Sequence, residues 1–278
     1  MSSFMIAVIQ LNSSDEIDKN ITQIEPLVRD AAAQSAKIVA LPENSFYMRR
    51  EGHATMADVS MTAHPGVIAA QHWAQQFSLW IAIGSIRAWE ETQDKPYNRS
   101  VLISPAGAIA AHYDKLHLFD VTLPNGHEYR ESSQAVGGDV PVLARTPYAA
   151  LGLTICYDLR FPALYQALAK AGAEVLFVPS AFTRPTGAAH WHSLLRARAI
   201  ENACYVVAAA QCGVHAGGRE TYGHSLIIDP WGEIIAEASA DKIEIITAMI
   251  DLEKIQAVRA QIPVLQHART IGPVKIEG

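Results

Sequence analysis

The sequence predicts an α/β fold, a four-layer α-β-β-α sandwich built from two pseudo-symmetric halves. Three observations lead there: apolar runs rich in branched residues alternate with helical stretches, one segment order occurs twice, and both copies end in a hairpin turn of the same chemistry. The runs lie at Met5 to Ile9, Ile38 to Leu41, Trp80 to Ile86, Leu151 to Ile155, Val175 to Val178, Cys204 to Ala210 and Ile243 to Ile250. Their near-continuous apolar character is that of strands covered on both faces.

In chain order, the first strand is followed by a helix expected to begin near Ser13, because Ser13 and Glu16 match a capping box. Ile17, Ile21, Ile24, Leu27, Val28 and Ala31 then recur at helical spacing, and Pro26 predicts a kink or a second helical start. The repeat comes next. Ala36-Lys-Ile-Val-Ala-Leu-Pro-Glu-Asn-Ser-Phe46 is answered by Ala173-Glu-Val-Leu-Phe-Val-Pro-Ser-Ala-Phe182, and Tyr97-Asn-Arg-Ser-Val-Leu-Ile-Ser-Pro-Ala-Gly-Ala-Ile109 by Tyr222-Gly-His-Ser-Leu-Ile-Ile-Asp-Pro-Trp-Gly-Glu-Ile234. The second pair is a strand, a Pro-x-Gly turn and a returning strand. In the same frame the strand ending at Gln10 corresponds to the one ending at Cys156. Active groups are expected where strand ends of the two halves meet.

Bulk properties narrow the function. With 278 residues, half of them hydrophobic, the chain can bury a large core, and one domain over 1–278 is expected. A net charge of -6 with scattered Lys and Arg leaves no footprint for nucleic acid or an anionic membrane, so small molecules are the expected partners. No basic leader and no apolar run of about 20 residues is found, which argues against secretion and membrane insertion. Three cysteines without CxxC spacing argue against disulfides or structural zinc and fit a reducing, cytoplasmic setting.

Cys156 follows a buried strand at a sharp turn, with Pro162 placed to open the next helix. Helix-terminal N–H groups there should lower a thiol's pKa, and the following backbone N–H, that of Tyr157, is placed to meet an oxyanion. A buried structural cysteine is the other reading of that position, and core thiols are expected at Cys204 and Cys212. Glu43, just past an apolar strand and Pro42, needs a partner or a task unless it is a solvated loop acid. Lys115, in Tyr113-Asp-Lys-Leu-His-Leu-Phe119, is by itself an ordinary snorkelling lysine. His190 and His192 stand two apart on a helical stretch and point in different directions, against a shared metal ion. Ser225 lacks a nucleophile elbow, and no P-loop or Gly-x-Gly-x-x-Gly occurs.

Taken together, Leu-Pro-Glu43, Tyr-Asp-Lys115-Leu-His-Leu and Ile-Cys156-Tyr-Asp-Leu-Arg-Phe-Pro resemble the three signature segments of the nitrilase or carbon–nitrogen hydrolase superfamily, in their expected order. The resemblance implies a glutamate base and acid at Glu43, an intermediate-stabilising lysine at Lys115, a nucleophile at Cys156, and no metal or organic cofactor. It also implies a second glutamate in an aromatic-x-Glu-Ser segment, assigned to Glu131 of Tyr129-Arg-Glu-Ser, with Glu128 as the competitor. Further segments, among them Pro179-Ser-Ala-Phe-Thr-Arg-Pro-Thr-Gly-Ala-Ala-His-Trp191 and Tyr-Gly-His-Ser225, are similar to the Nit branch, whose members act as deaminated glutathione amidase or omega-amidase.

The branch implies cleavage of the terminal carboxamide of a small 2-oxo acid to carboxylate and ammonia through a cysteine thioester, with deaminated glutathione favoured and 2-oxoglutaramate, N-carbamoyl amino acids or aliphatic amides as alternatives. It further implies that Arg160 binds a substrate carboxylate, since its planar fork suits that group, with Tyr157, Phe182 and Thr186 in the substrate site. An ion pair with Asp158 or a loop acid is the other reading of Arg160. A homodimer or larger assembly is implied. A silent binding or scaffold protein on this fold is the reading from another class.

Overall fold

The computed structural model describes residues 2–50, 59–122 and 126–277. Two six-stranded mixed sheets make up most of it. In the first, the strands stand in the order Glu244–Asp251, Ser3–Gln10, Ile38–Ala40, Trp80–Ala88, Tyr97–Ile103, Ile109–Asp114. In the second, the order Val142–Arg145, Ala150–Leu153, Val175–Phe177, Tyr205–Ala208, Leu226–Ile228, Ile234–Glu237 repeats the same plan. Each has an antiparallel edge strand, three parallel strands, and an antiparallel hairpin.

The repeat therefore extends to hydrogen bonding. At the two Pro-x-Gly turns, Gly107 N donates to Ser104 O and Gly232 N to Asp229 O, at 2.8 and 2.9 Å, with both glycines at positive φ (74 and 90°). Strand register makes one adjustment. Ile6 pairs with Ile38 and Leu151 with Val175, so the residue equivalent to Cys156 is Leu11, one past Gln10.

Alternation along the strands sets the layers. Ala7, Ile9, Val39, Ile81 and Ile83 pack under helices Ile17–Ala33 and Pro65–Phe77, while Ile6, Val8, Ile38, Ala40 and Ala82 join Leu151, Leu153, Val175 and Phe177 in the other core. Helices Pro162–Lys170 and Arg184–Asn202 cover the outer face of the second sheet with Leu164, Tyr165, Leu168, Trp191 and Leu195. This is the expected four-layer sandwich. No described helix is long and apolar enough to cross a membrane.

The first helix departs from expectation. It starts at Ile17, the Glu16 side chain does not cap it, and it runs as one element through Pro26. Ser13 is drawn away: its N–H donates to Gln211 Oε1 and its hydroxyl to Ser45 O, at 2.9 and 2.8 Å. Asn20 organises the entry instead, accepting from Ser14 N and donating to Ser14 O and Phe46 O. Tertiary bonding to the strand-end loops thus outcompetes the local capping box.

Candidate active site

The strand ends of both sheets converge on one cavity of about 460 Å³. Glu43 arrives just beyond Ile38–Ala40, Lys115 immediately after Ile109–Asp114, and Cys156 at the start of the 3₁₀ turn Cys156–Arg160 that follows Ala150–Leu153. All three line the cavity yet are nearly closed to solvent, with 3, 1 and 7% exposure. Lys115 Nζ lies 2.9 Å from Glu43 Oε1 and 2.9 Å from Glu131 Oε2. The Cys156 thiol and the Glu43 carboxylate lie near enough in this cavity for each to influence the other's pKa.

Each group is held by backbone. Glu43 Oε2 accepts from Ala181 N at 2.8 Å, which ties the end of the first sheet to the end of the second. Glu131, in the 3₁₀ turn Glu131–Ser133, accepts from Phe119 N at 2.7 Å. Cys156 N donates to Pro179 O at 2.9 Å, and φ of +47° puts Cys156 in the left-handed region that side chains other than glycine's rarely enter. Buried Asp158 fastens this turn to the lysine segment, accepting from Ile155 N, Tyr113 Oη and His117 N at 2.9, 2.7 and 3.1 Å.

Electrostatics give each group a definite resting form. Burial alone would raise the Glu43 pKa, but the adjacent Lys115 charge and its hydrogen bonds outweigh it, so Glu43 is held below its ordinary range. Burial opposes the charge on Lys115, and the Glu131 and Glu43 carboxylates overcome it, raising the lysine above its usual value. The Cys156 thiol is pushed upward, by burial first and by the Glu43 charge second. That reverses the expected lowering: the turn after Cys156 is short and buried beside a carboxylate, and Lys115 offsets only part of the effect. The resting triad is thus a neutral thiol, a carboxylate and an ammonium.

The other anticipated residues divide. Tyr157, Phe182 and Thr186 line the cavity. Glu128 also reaches it, but its carboxylate is 59% exposed and pairs with Arg130, while Glu131 is the one on Lys115. Arg160 is not among the lining residues; its guanidinium lies 3.3 Å from His190 Nδ1 and against the rings of Phe182 and Tyr157. The ion pair with Asp158 does not form either, since His117 occupies that carboxylate. Cys204 and Cys212 are core thiols.

Two polar residues escaped sequence reasoning. Asn98 Nδ2 donates to Glu43 Oε1 and Glu131 Oε1, at 3.0 and 2.8 Å, a neutral bridge between two acids. In the second repeat Asn98 stands opposite Gly223, one of several mismatches, so the alignment of the two halves does not single it out. Arg219 lines the cavity from the start of strand Glu220–Tyr222. Elsewhere, His190 and His192 do face separate partners, Arg160 and Glu237. His192, His224 and Glu237 form a cluster that could hold a metal ion, with Glu237 Oε1 bonded to both rings at 3.0 and 2.9 Å.

Comparison with known proteins adds the family. The model for carbon–nitrogen hydrolase matches residues 5–260. Proteins described as deaminated glutathione amidase are similar along nearly the whole chain. The Synechocystis one is 42% identical over 273 residues, covering 96% of this chain and 98% of its own, and the human one 41% over 272, covering 95 and 82%. Among solved structures, the C. elegans NitFhit protein superposes with a TM-score of 0.87 at 35% identity over 97% of this chain, which spans 66% of that protein. Saccharomyces cerevisiae Nit3, a member of branch 10 of the nitrilase superfamily, does so at 0.83 and 28%, covering 95% of each chain. A family match over most of the length, with relatives above 40% identity, establishes that this chain is an amidase of the carbon–nitrogen hydrolase, or nitrilase, superfamily, in its Nit branch.

Proposed function

We propose that the protein hydrolyses the amide of a small 2-oxo acid, deaminated glutathione foremost, through a thioester on Cys156. The observation that supports this most is the convergence of Cys156, Glu43 and Lys115, all three buried, on one cavity, with Lys115 bonded to Glu43. An amide resists attack because its nitrogen lone pair is delocalised and the amine leaves poorly, so the site must supply a nucleophile, an oxyanion partner and a proton.

In this reading Glu43 removes the Sγ proton as sulfur adds to the carbonyl carbon, and Lys115 with the backbone N–H of Tyr157 stabilises the oxyanion. The raised thiol pKa suits a proton that moves only as attack proceeds. The C–N bond then breaks while Glu43 returns the proton to nitrogen. A primary carboxamide releases ammonia; in deaminated glutathione the amide nitrogen belongs to cysteinylglycine, so the dipeptide amine leaves. Water, deprotonated by Glu43, next adds to the thioester, and the C–S bond breaks as sulfur regains a proton and the acid departs. Glu131 and Asn98 keep Lys115 and Glu43 in register, while Phe182 and Thr186 shape the acyl pocket.

Amine release from deaminated glutathione, 2-oxoglutaramate and N-carbamoyl amino acids, compared at matched concentration, tests the assignment. Deaminated glutathione should give the highest kcat/KM. A preference for 2-oxoglutaramate would make the protein an omega-amidase, and a preference for carbamoyl compounds would overturn the 2-oxo-acid reading.

A further inference from the structure

We propose that His192, His224 and Glu237 bind one divalent transition-metal ion, zinc by the character of the donors, at a site that the amide chemistry does not use. The three come from different elements: His192 from helix Arg184–Asn202, His224 from just before strand Leu226–Ile228, and Glu237 from the end of strand Ile234–Glu237. None of them lines the catalytic cavity.

Convergence carries the inference. His192 Nε2 and His224 Nδ1 lie 3.0 and 2.9 Å from the same Glu237 oxygen, Oε1, and the three donor atoms all stand within 4.8 Å of one another. A carboxylate has two oxygens to divide between two imidazoles, yet here both rings aim at one point. Four-coordinate zinc holds nitrogen and oxygen donors at about 2.0–2.2 Å, which sets them about 3.3–3.5 Å apart, so a small opening of the cluster admits the ion. Two imidazoles and a carboxylate fill three corners of the tetrahedron and leave the fourth to water. In the bound form each ring carries its proton on the far nitrogen, His192 Nδ1 and His224 Nε2, a change of tautomer that keeps both imidazoles neutral.

The surrounding protein holds the donors in place. The Trp191 indole N–H donates to His224 O at 2.8 Å, and the Tyr222 ring packs against both histidines, with centroids 5.9 Å from His192 and 4.5 Å from His224. Ser225 N donates to Gln10 Oε1 just past His224, and Glu237 is paired with Leu226 across the hairpin. All three side chains are partly exposed, so an ion enters from solvent. The same contacts lead inward: Trp191 packs on Phe182 at 5.1 Å, and Tyr222 N donates to Phe182 O at 2.9 Å. A bound ion would therefore fasten the helix to the second sheet behind a wall of the substrate cavity, and its effect is read as stability.

The test titrates zinc chloride into the metal-stripped full-length protein and into His192→Gln, His224→Gln, Glu237→Gln and Cys156→Ala, by calorimetry, with thermal melting followed in parallel. One ion per chain should bind and raise the wild-type melting temperature. Each of the three ligand substitutions should weaken binding at least about a hundredfold, beyond the roughly 10- to 100-fold known for loss of an outer-shell partner, and should abolish the rise in melting temperature. Cys156→Ala should bind as the wild type does, which separates this site from the catalytic thiol. Undiminished binding in any of the three, loss of binding in Cys156→Ala, or a titration that never saturates would overturn the inference and leave the cluster a pair of histidine–carboxylate contacts. Where a substituted protein does not fold, X-ray absorption at the zinc edge of the stoichiometric wild-type complex decides. Nitrogen and oxygen neighbours at about 2.0–2.2 Å with the scattering of two imidazoles are expected, and a sulfur neighbour at about 2.3 Å would overturn the site.

Discussion

Lys115 Nζ and Glu43 Oε1 are 2.9 Å apart, yet the two residues are 72 positions distant in the chain and both are almost sealed from water. Such a pair forms because each residue sits at a strand end of the first sheet, and the Trp80–Ala88 and Tyr97–Ile103 strands fix the spacing between those ends. An isolated buried ion pair is hard to sustain, and a third charge is needed to balance the second carboxylate here. Glu43, Lys115 and Glu131 together leave one net negative charge, which the nearby Arg219 offsets. In the proposed mechanism, chemistry and charge balance therefore draw on the same side chains.

Glu131→Gln removes one of the two carboxylates that hold Lys115. The lysine should settle on Glu43 alone and weaken it as a base, so kcat should fall about a hundredfold to a thousandfold, the range found when a preorganised electrostatic partner is lost. Glu128→Gln should cost at least tenfold less, because Glu128 is exposed and bonded to Arg130. Steady-state kinetics of the two variants checks the order.

Asn98→Asp puts a third acid against Glu43 and Glu131. The new carboxylate must either ionise beside two others or take up a proton, so the variant should lose about 3 kcal/mol of stability and most of its kcat. Chemical denaturation reads the first effect and amine release the second. Wild-type stability in Asn98→Asp would show that the amide bridge carries little.

Gly84→Ala tests the backbone behind Glu43. A Cβ at residue 84 would lie 2.2 Å from Pro42 O and 2.3 Å from Leu41 O, so the strand leading to Glu43 must shift. A loss of about 2 kcal/mol is expected, the usual range for overpacking, together with a fall in kcat larger than any change in KM. Thermal melting and kinetics on one preparation separate the two.

How much of this was legible in the sequence follows from what each residue does locally. The two halves could be read because strand, proline and Pro-x-Gly turn are short-range features that the chain writes twice. Glu43, Lys115 and Cys156 stood out as polar residues at the ends of apolar strands, each within a segment that carries the family resemblance. Asn98 did not, since a neutral side chain within a strand leaves no anomaly, and only its contacts with two distant acids reveal its task. The Ser13 capping box misled because local hydrogen bonding competes with partners 32 and 198 residues away. The thiol pKa was misjudged for a similar reason: helix-end N–H groups are read from sequence, whereas burial beside Glu43 is a tertiary fact.

Acid stability should report two buried histidines. His64 Nδ1 accepts from Gly66 N, and His215 donates to Ser13 O while accepting from the Thr221 hydroxyl, so both are neutral in the fold. Burial lowers each pKa to about 4. The unfolded chain takes up protons near pH 6.5 and the folded one does not until about 4, so stability falls as pH drops through that window. By pH 5 the loss is about 2 kcal/mol for each histidine, and His215→Gln should flatten the dependence by about half. Denaturation midpoints between pH 7.5 and 5 check this; a flat profile would contradict it.

The nucleophile assignment is tested most directly by Cys156→Ala. Removing one sulfur beside the cavity should leave the melting temperature within a few degrees of wild type, while kcat/KM for the 2-oxo amide falls at least about ten-thousandfold, as expected when a covalent route is deleted. A folded Cys156→Ala protein that still releases amine within tenfold of the wild-type rate would contradict the thioester mechanism.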